Sequence, residues 1–176
     1  MEQPQHSGEL TPYVRALLGI TVTGLWQLAT VSADGTIPLP GTLVLESPAG
    51  FVTLSYAQEG LSCRGLVPRE EIRWNTEPDL AMDSNDDEEW LSLVPLEDRA
   101  AVPELPLFIE VVTGWFGIGD YLDVFALILT GRGRSLVIMT TDDFDLRCAT
   151  REEARTRADK VAANMNLVLT EQQQRL

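Results

Sequence analysis

The acidic residues that could do chemistry are concentrated between Glu77 and Asp98. Within this stretch, Asp83-Ser-Asn85-Asp-Asp87 has the alternating oxygen ligands with which a calcium loop begins. The remainder departs from that pattern, because Glu88 stands at the sixth position, where glycine is required, and Val94 at the twelfth, where a bidentate glutamate is required. The sequence therefore favours a solvated acidic turn over a metal site.

Trp90 ends this acidic run, and an aromatic ring among carboxylates is typical of a protein recognition surface. The alternative is that Trp90 pins the segment to the core, since Leu91, Leu93 and Val94 also require burial. We take the acids and the tryptophan together as the predicted partner-binding site, which comprises Asp83, Asp86, Asp87, Glu88, Glu89 and Trp90.

A second acidic group, Asp142-Asp143-Phe-Asp145, could chelate a divalent ion or supply paired carboxylates for hydrolysis. If it lies in a strand, Asp143 and Asp145 share a face and Asp142 does not. A charged sheet edge that blocks further strand pairing is the simpler interpretation.

Other catalytic and cofactor sites find little support. The one histidine, His6, argues against histidine acid–base catalysis and against a His-rich metal site. Cys63 and Cys148 lack the paired spacing of a zinc site and are interpreted as buried thiols. The glycines of segment 114–119 do not follow the dinucleotide-binding order, so we predict a flexible turn there and no cofactor.

The charge of the chain points to the class of partner. A formal net charge of −14 argues against binding to nucleic acid or to an anionic membrane, and favours a basic protein partner. Residues 1–10 do not resemble a secretory signal, and no apolar run is long enough to span a bilayer. The expected location is therefore the cytoplasm.

The elements that must position these residues are mostly strands. Thr11-Pro12 predicts an N-cap and the start of a short helix that Gly19 ends. Ile20, Val22, Trp26 and Leu28 then alternate as the buried face of a strand. Segments 41–46 and 51–56 predict a hairpin, and segment 61–65 a further strand.

The second part of the chain is more apolar. Its segments 107–112, 124–129 and 136–139 are continuous apolar runs, as in strands that are covered on both faces. Thr150-Arg-Glu-Glu153 is a capping box, and it predicts a terminal helix that packs through Ala154, Ala158, Val161 and Met165. Between the two parts, a short helix over 86–93 is the one candidate element.

The two parts also resemble each other. Val22-Thr-Gly24-Leu-Trp26 matches Val112-Thr-Gly114-Trp-Phe116, Cys63 matches Cys148, and Arg69-Glu-Glu-Ile-Arg73 matches Arg151-Glu-Glu-Ala-Arg155, in the same order. The alternative is chance similarity between small β-meanders. We predict a single α+β domain over residues 1–176, with similar antiparallel β-rich halves at 20–75 and 108–166, an acidic connector at 77–104 and a C-terminal amphipathic helix.

The strand pattern of 112–153, with Thr113-Gly-Trp-Phe116 and the acids at 142–145, resembles that of small acidic bacterial immunity-type or uncharacterised cytoplasmic proteins. That resemblance covers about a quarter of the chain. It implies a non-catalytic, cytoplasmic protein that binds a toxin-like partner. A nucleic-acid mimic that inhibits a basic protein, a small carboxylate-dependent hydrolase and a purely structural subunit are the alternatives.

Overall fold

The computed structural model describes residues 10–58, 60–68, 90–120 and 122–176. The first helix is α1 (Thr11–Leu17), with Pro12 in its first turn as predicted. Its N-cap is Leu10 and not Thr11, so no side chain caps it. Gly19 follows with a φ of 85°, and its amide donates to the carbonyl of Ile109. A glycine is favoured there because that backbone region is open to it without steric cost.

The first part of the chain then forms one antiparallel sheet and a short additional strand. The strands are β1 (Thr21–Val22), β2 (Gly24–Ser32), β3 (Gly35–Pro38), β4 (Thr42–Ser47), β5 (Gly50–Ala57), β6 (Gly60–Val67) and β7 (Trp90–Pro95). β2 pairs with β3 and β4 along one side and with β7 along the other. β5 and β6 complete the sheet, giving the order β7-β2-β4-β5-β6, with β3 continuing the line of β4.

The second part forms another antiparallel sheet and one helix. Its elements are β8 (Leu107–Phe108), β9 (Val111–Ile118), β10 (Leu122–Gly131), β11 (Arg134–Thr140), β12 (Leu146–Ala149), α2 (Arg151–Asn164) and β13 (Val168–Arg175). The sheet order is β12-β11-β10-β9-β13, and β1 pairs with β8 as a separate two-stranded ribbon.

Two cores hold these layers together. One lies between the two sheets and is built from residues of both, such as Leu45, Leu54, Leu127 and Ile138. The other lies between the second sheet and α2, where Phe125 and Ile128 meet the helix. The central strand β10 contributes to both cores, which confirms the prediction that its apolar run is covered on both faces.

The mixed α+β class is confirmed, and so are the hairpin β4–β5 and the strand β6. α2 begins as predicted, since the Thr150 hydroxyl accepts from the amide of Glu153. Its buried residues are Ala154, Ala158 and Ala162, whereas Met165 is exposed. The chain then continues into β13, which the sequence did not predict.

Three further sequence predictions of local structure are wrong. The predicted turn at 114–119 lies almost entirely within β9, where added Cβ atoms at Gly114 and Gly117 would meet the rings of Phe116 and Phe125. The predicted helix over 86–93 is a strand at residues 90–93, and 86–89 lie outside the described residues.

The third error is the buried face of the first strand. Thr23 separates β1 from β2 along the chain, and the alternation of buried residues changes phase there. Leu25 and Ala29 are consequently buried in β2, where Trp26 and Leu28 were expected.

Candidate functional site

The predicted acidic site lies mainly outside the described residues. Asp83, Asp86, Asp87, Glu88 and Glu89 all fall in the segment 69–89, which is not described. Trp90 is the first residue of β7, and its backbone pairs in register with Val31 of β2. What the structure adds is the surface at which this acidic run enters the fold.

That surface is the outer face of the first sheet. Thr30 of β2 pairs with Leu91 on one side and with Ile37 on the other, so the three side chains form one row across the sheet. Leu91 is 48% exposed and Ile37 is 64% exposed. In the next row, Leu28 pairs with Leu93, and both are half-buried. We call Leu28, Ile37, Leu91 and Leu93 the apolar strip.

The acids 86–89 directly precede β7, which contributes Leu91 and Leu93 to the apolar strip. Leu91 follows Glu89 by two residues, and an extended chain spans at most about 3.6 Å per residue. Glu46 lies farther along the same sheet, at the other end of β2, where its Oε2 accepts from Nε1 of Trp26 at 2.8 Å. The described part of this region is an exposed apolar surface, and the acidic run directly precedes it in the sequence.

A second polar group lies where the two sheets meet. The Tyr56 hydroxyl on β5 donates to Oδ1 of Asp123 on β10 at 3.2 Å. Burial, then the charge of Asp123, raise the pKa of Tyr56 to about 12. Burial also raises the pKa of Asp123, while the hydrogen bond from Tyr56 and the charge of Arg157 lower it. The carboxylate of Asp123 therefore loses solvation on burial, and the hydrogen bond from Tyr56 offsets part of that loss.

Arg157 of α2 interacts with Asp123 and with Asp142. Its Nη2 lies 2.9 Å from Oδ1 of Asp142, and its side chain is only 15% exposed whereas that of Asp142 is 85% exposed. Nη1 is buried and has no hydrogen-bond partner in the part of the chain that is described. The guanidinium therefore compensates two carboxylates at once, one by contact and one through space.

Thr140 and a bulge in β10 shape the same place. The pairing of β10 with β9 shifts register between Val124 and Ala126. The buried hydroxyl of Thr140 donates to the carbonyl of Val124 at 2.7 Å and also lies 3.2 Å from that of Phe125. A bulge leaves backbone groups of the strand without a ladder partner. At this bulge, the hydroxyl of Thr140 supplies a partner for the carbonyls of Val124 and Phe125.

The acids at 142–145 are not in a strand. They form the turn between β11 and β12, in which Phe144 has a φ of 59°. Its ring is tilted by 47° against that of Tyr56, with the centroids 5.6 Å apart. The strand argument that placed Asp143 and Asp145 on one face therefore does not apply. Within the described residues, no three His, Cys, Asp or Glu side chains are grouped as metal ligands would be.

Both cysteines are free thiols. Cys148 is buried and Cys63 is half-buried, and both contact the core between the sheets. Burial raises the pKa of each thiol to about 12. Because the thiolate is the reactive form, this environment favours packing over nucleophilic chemistry.

Sequence reasoning did not single out Tyr56, Thr140 or Arg157 as functional residues. Tyr56 was predicted only to share one face of the hairpin with Val52 and Leu54. The contact between β5 and β10 depends on how two distant sheets pack, and no local pattern carries that information.

Comparison with models of known families, with curated proteins and with solved structures finds no match. Among the described helices, neither has the length and apolar character needed to cross a membrane.

Proposed function

We propose that the chain is a non-catalytic, acidic protein-binding module whose partner is a basic protein, in the manner of an immunity protein or antitoxin that inhibits its target. The net charge of −14 supports this proposal. A strongly acidic chain attracts a basic partner at long range and so accelerates the encounter.

The observation that carries the proposal is the apolar strip beside the acidic run. Charge alone gives a fast but loose encounter, whereas buried apolar anchors near the centre of an interface account for most of its affinity. Leu91 and Ile37 are exposed in one row of the first sheet, and Leu91 follows the acids 86–89 directly in the sequence. The proposed interface therefore has an apolar centre and an acidic margin, to which Trp90 would add its ring.

Two alternatives remain as proposals. A nucleic-acid mimic would present its carboxylates to a groove that normally binds phosphates, and DNA or RNA would then compete for the partner. A small hydrolase would use a carboxyl with a raised pKa, and Asp123 beside Tyr56 is the described group that fits this role. Turnover that is abolished by Asp123→Asn would favour the hydrolase.

The test begins with capture and identification of the partner, followed by association kinetics at two salt concentrations. Neutralising the acidic run with Asp86→Asn, Asp87→Asn, Glu88→Gln and Glu89→Gln should slow association markedly, because these charges act on the encounter. The matched control neutralises four exposed acids elsewhere and should change association less, namely Glu97, Asp120, Asp143 and Glu152.

A second variant tests the apolar centre. Ile37→Ser together with Leu91→Ser should leave association nearly unchanged and accelerate dissociation by about tenfold or more, as for anchors that are buried in the complex. A partner that binds equally well to both variants, or whose association is indifferent to salt, would refute this placement of the site.

The internal duplication belongs with this proposal, and two features support it. Apart from β3, which has no counterpart in the second sheet, both sheets have the same antiparallel strand order, in which the last strand pairs with the first. Leu43, Leu54 and Cys63 also form one row across the first sheet, as Leu127, Ile138 and Cys148 do across the second.

The predicted match of the glycines is not supported by the register. Gly114 is opposite Leu127 and thus in the row of Cys148, whereas Gly24 is opposite Glu46, three residues from the row of Cys63. The proposed duplication therefore rests on the strand order and on the cysteine rows.

A further inference from the structure

The sheet edges of this protein differ in how they are protected against pairing with another chain. β3 and β7 contain Pro38 and Pro95, β12 has only four residues, and β6 carries Gly65 and an irregular register with β5. Proline, short length and irregularity are all devices that prevent edge-to-edge association. Among the described residues, the remaining edge of the two larger sheets is β13.

β13 has none of these devices. Its eight residues contain no proline, glycine or lysine, and they pair with β9 in an uninterrupted register from Val168 to Arg175. Within the described residues, no strand pairs with its outer side. It carries one acid, Glu171, and one base, Arg175, so the edge is locally neutral in a chain of net charge −14. The charges on β13 itself therefore add no net repulsion between two copies of this strand.

The backbone of β13 indicates which groups point outward. The amide of Leu176 donates to the carbonyl of Glu110 at 2.8 Å, which sets the even-numbered residues against β9. In an antiparallel pair the hydrogen-bonding direction alternates along the strand. The backbone groups of Leu169, Glu171, Gln173 and Arg175 are consequently directed away from β9.

We infer that β13 binds the β13 of a second copy of this chain in antiparallel orientation, with Gln173 on the two-fold axis. The outward backbone groups of the two β13 strands can form hydrogen bonds only when odd-numbered residues of one copy lie opposite odd-numbered residues of the other. An axis at residue 171 sets Glu171 against itself, and an axis at 172 sets it against Gln173. With the axis at 173, Glu171 of each copy is opposite Arg175 of the other, which gives two pairs of opposite charge.

The side chain of Glu171 already makes one hydrogen bond within its own copy, to the neighbouring strand β9. Its Oε2 accepts from Nε1 of the buried Trp115 at 2.7 Å. Because this hydrogen bond already restricts the side chain, less conformational entropy is lost when a second copy binds. The pairing would join two five-stranded sheets into one of ten strands, with both α2 helices on the same face. The surface used is separate from the apolar strip on the first sheet.

Two charge reversals test the register. Glu171→Arg and Arg175→Glu should each raise the dimer dissociation constant about tenfold or more, since each replaces two attractive pairs by two repulsive ones. A mixture of the two variants should form a heterodimer, because every pair is then of opposite charge. Glu97→Arg and Arg147→Glu, at exposed sites that follow β7 and lie on β12, are the matched controls and should leave dimerisation unchanged.

A third variant tests the edge itself. Gln173→Pro removes an outward amide that no β9 residue accepts, so the fold should persist while the dimer is lost. Sedimentation equilibrium gives the association state, and circular dichroism shows whether each variant is folded. A wild-type chain that is monomeric at concentrations on the order of 100 µM overturns the inference. A dimer that survives Gln173→Pro, or two reversed variants that fail to pair when mixed although both are folded, also overturns it.

Discussion

The hydroxyl of Tyr56 donates to the carboxylate of Asp123 across 3.2 Å, and this hydrogen bond joins β5 of the first sheet to β10 of the second. The packing between the sheets is otherwise largely apolar. Such a contact fixes the relative position of two layers that apolar packing alone would hold with less specificity.

Tyr56→Phe should reduce the free energy of unfolding by about 1–2 kcal/mol. The variant keeps the ring near Phe144 but leaves a partly buried carboxylate without its donor. Urea unfolding of Tyr56→Phe, Asp123→Asn and the double variant forms a cycle that isolates the pair. Strictly additive effects would mean that the two side chains are not coupled.

The pH dependence of stability should report Asp123. Burial raises its folded pKa above the ordinary value, so the folded state holds the proton to higher pH than the unfolded chain does. Its contribution is fully present below the ordinary pKa, about 3.9, and is lost as the pH rises through the folded pKa. In unfolding experiments from pH 4 upward, Asp123→Asn should reduce the fall of the free energy of unfolding with rising pH. A decline that is equally steep in Asp123→Asn and in the wild type would contradict the assignment.

The two thiols should react slowly with a disulfide reagent in the native protein. Burial raises the pKa of Cys63 and Cys148 to about 12, so almost no thiolate is present at pH 8. Two equivalents should react rapidly once the chain is unfolded in guanidinium chloride. Fast reaction of either thiol under native conditions would show that its environment is open.

Ala158→Asp should destabilise the protein by about 3–5 kcal/mol, as expected for an unpaired charge forced into a packed face. Ala158 is fully buried between α2 and the second sheet. Ala163→Asp is the matched control, because Ala163 is exposed on the same helix. We expect a large fall in melting temperature for the first variant and a small one for the second.

Gly117→Ala should cost about 1–3 kcal/mol, because overpacking a core forces side chains to shift. An added Cβ would lie 2.5 Å from Cζ of Phe125 and 2.9 Å from Cδ1 of Leu167. Gly65→Ala provides the comparison, since open space surrounds that position. If thermal unfolding shows the two variants to be equally stable, β9 is less tightly packed than described.

The sequence by itself determined the elements that have strong local signals. The β4–β5 hairpin follows from alternating apolar residues around a Ser-Pro-Ala-Gly turn, and α2 from the capping box at Thr150. The burial of β10 on both faces was predicted from its uninterrupted apolar run. These features depend on residues that are near one another in the chain.

Tertiary structure decided what depends on distant partners. Gly114 and Gly117 resemble turn residues locally, yet β9 remains extended because aromatic rings occupy the space that their missing side chains leave. β13 contains three glutamines and little apolar character, and it is a strand because β9 offers a free edge. The Tyr56–Asp123 contact arises only when the two sheets pack, since the residues that form it are separated by 67 positions in the chain.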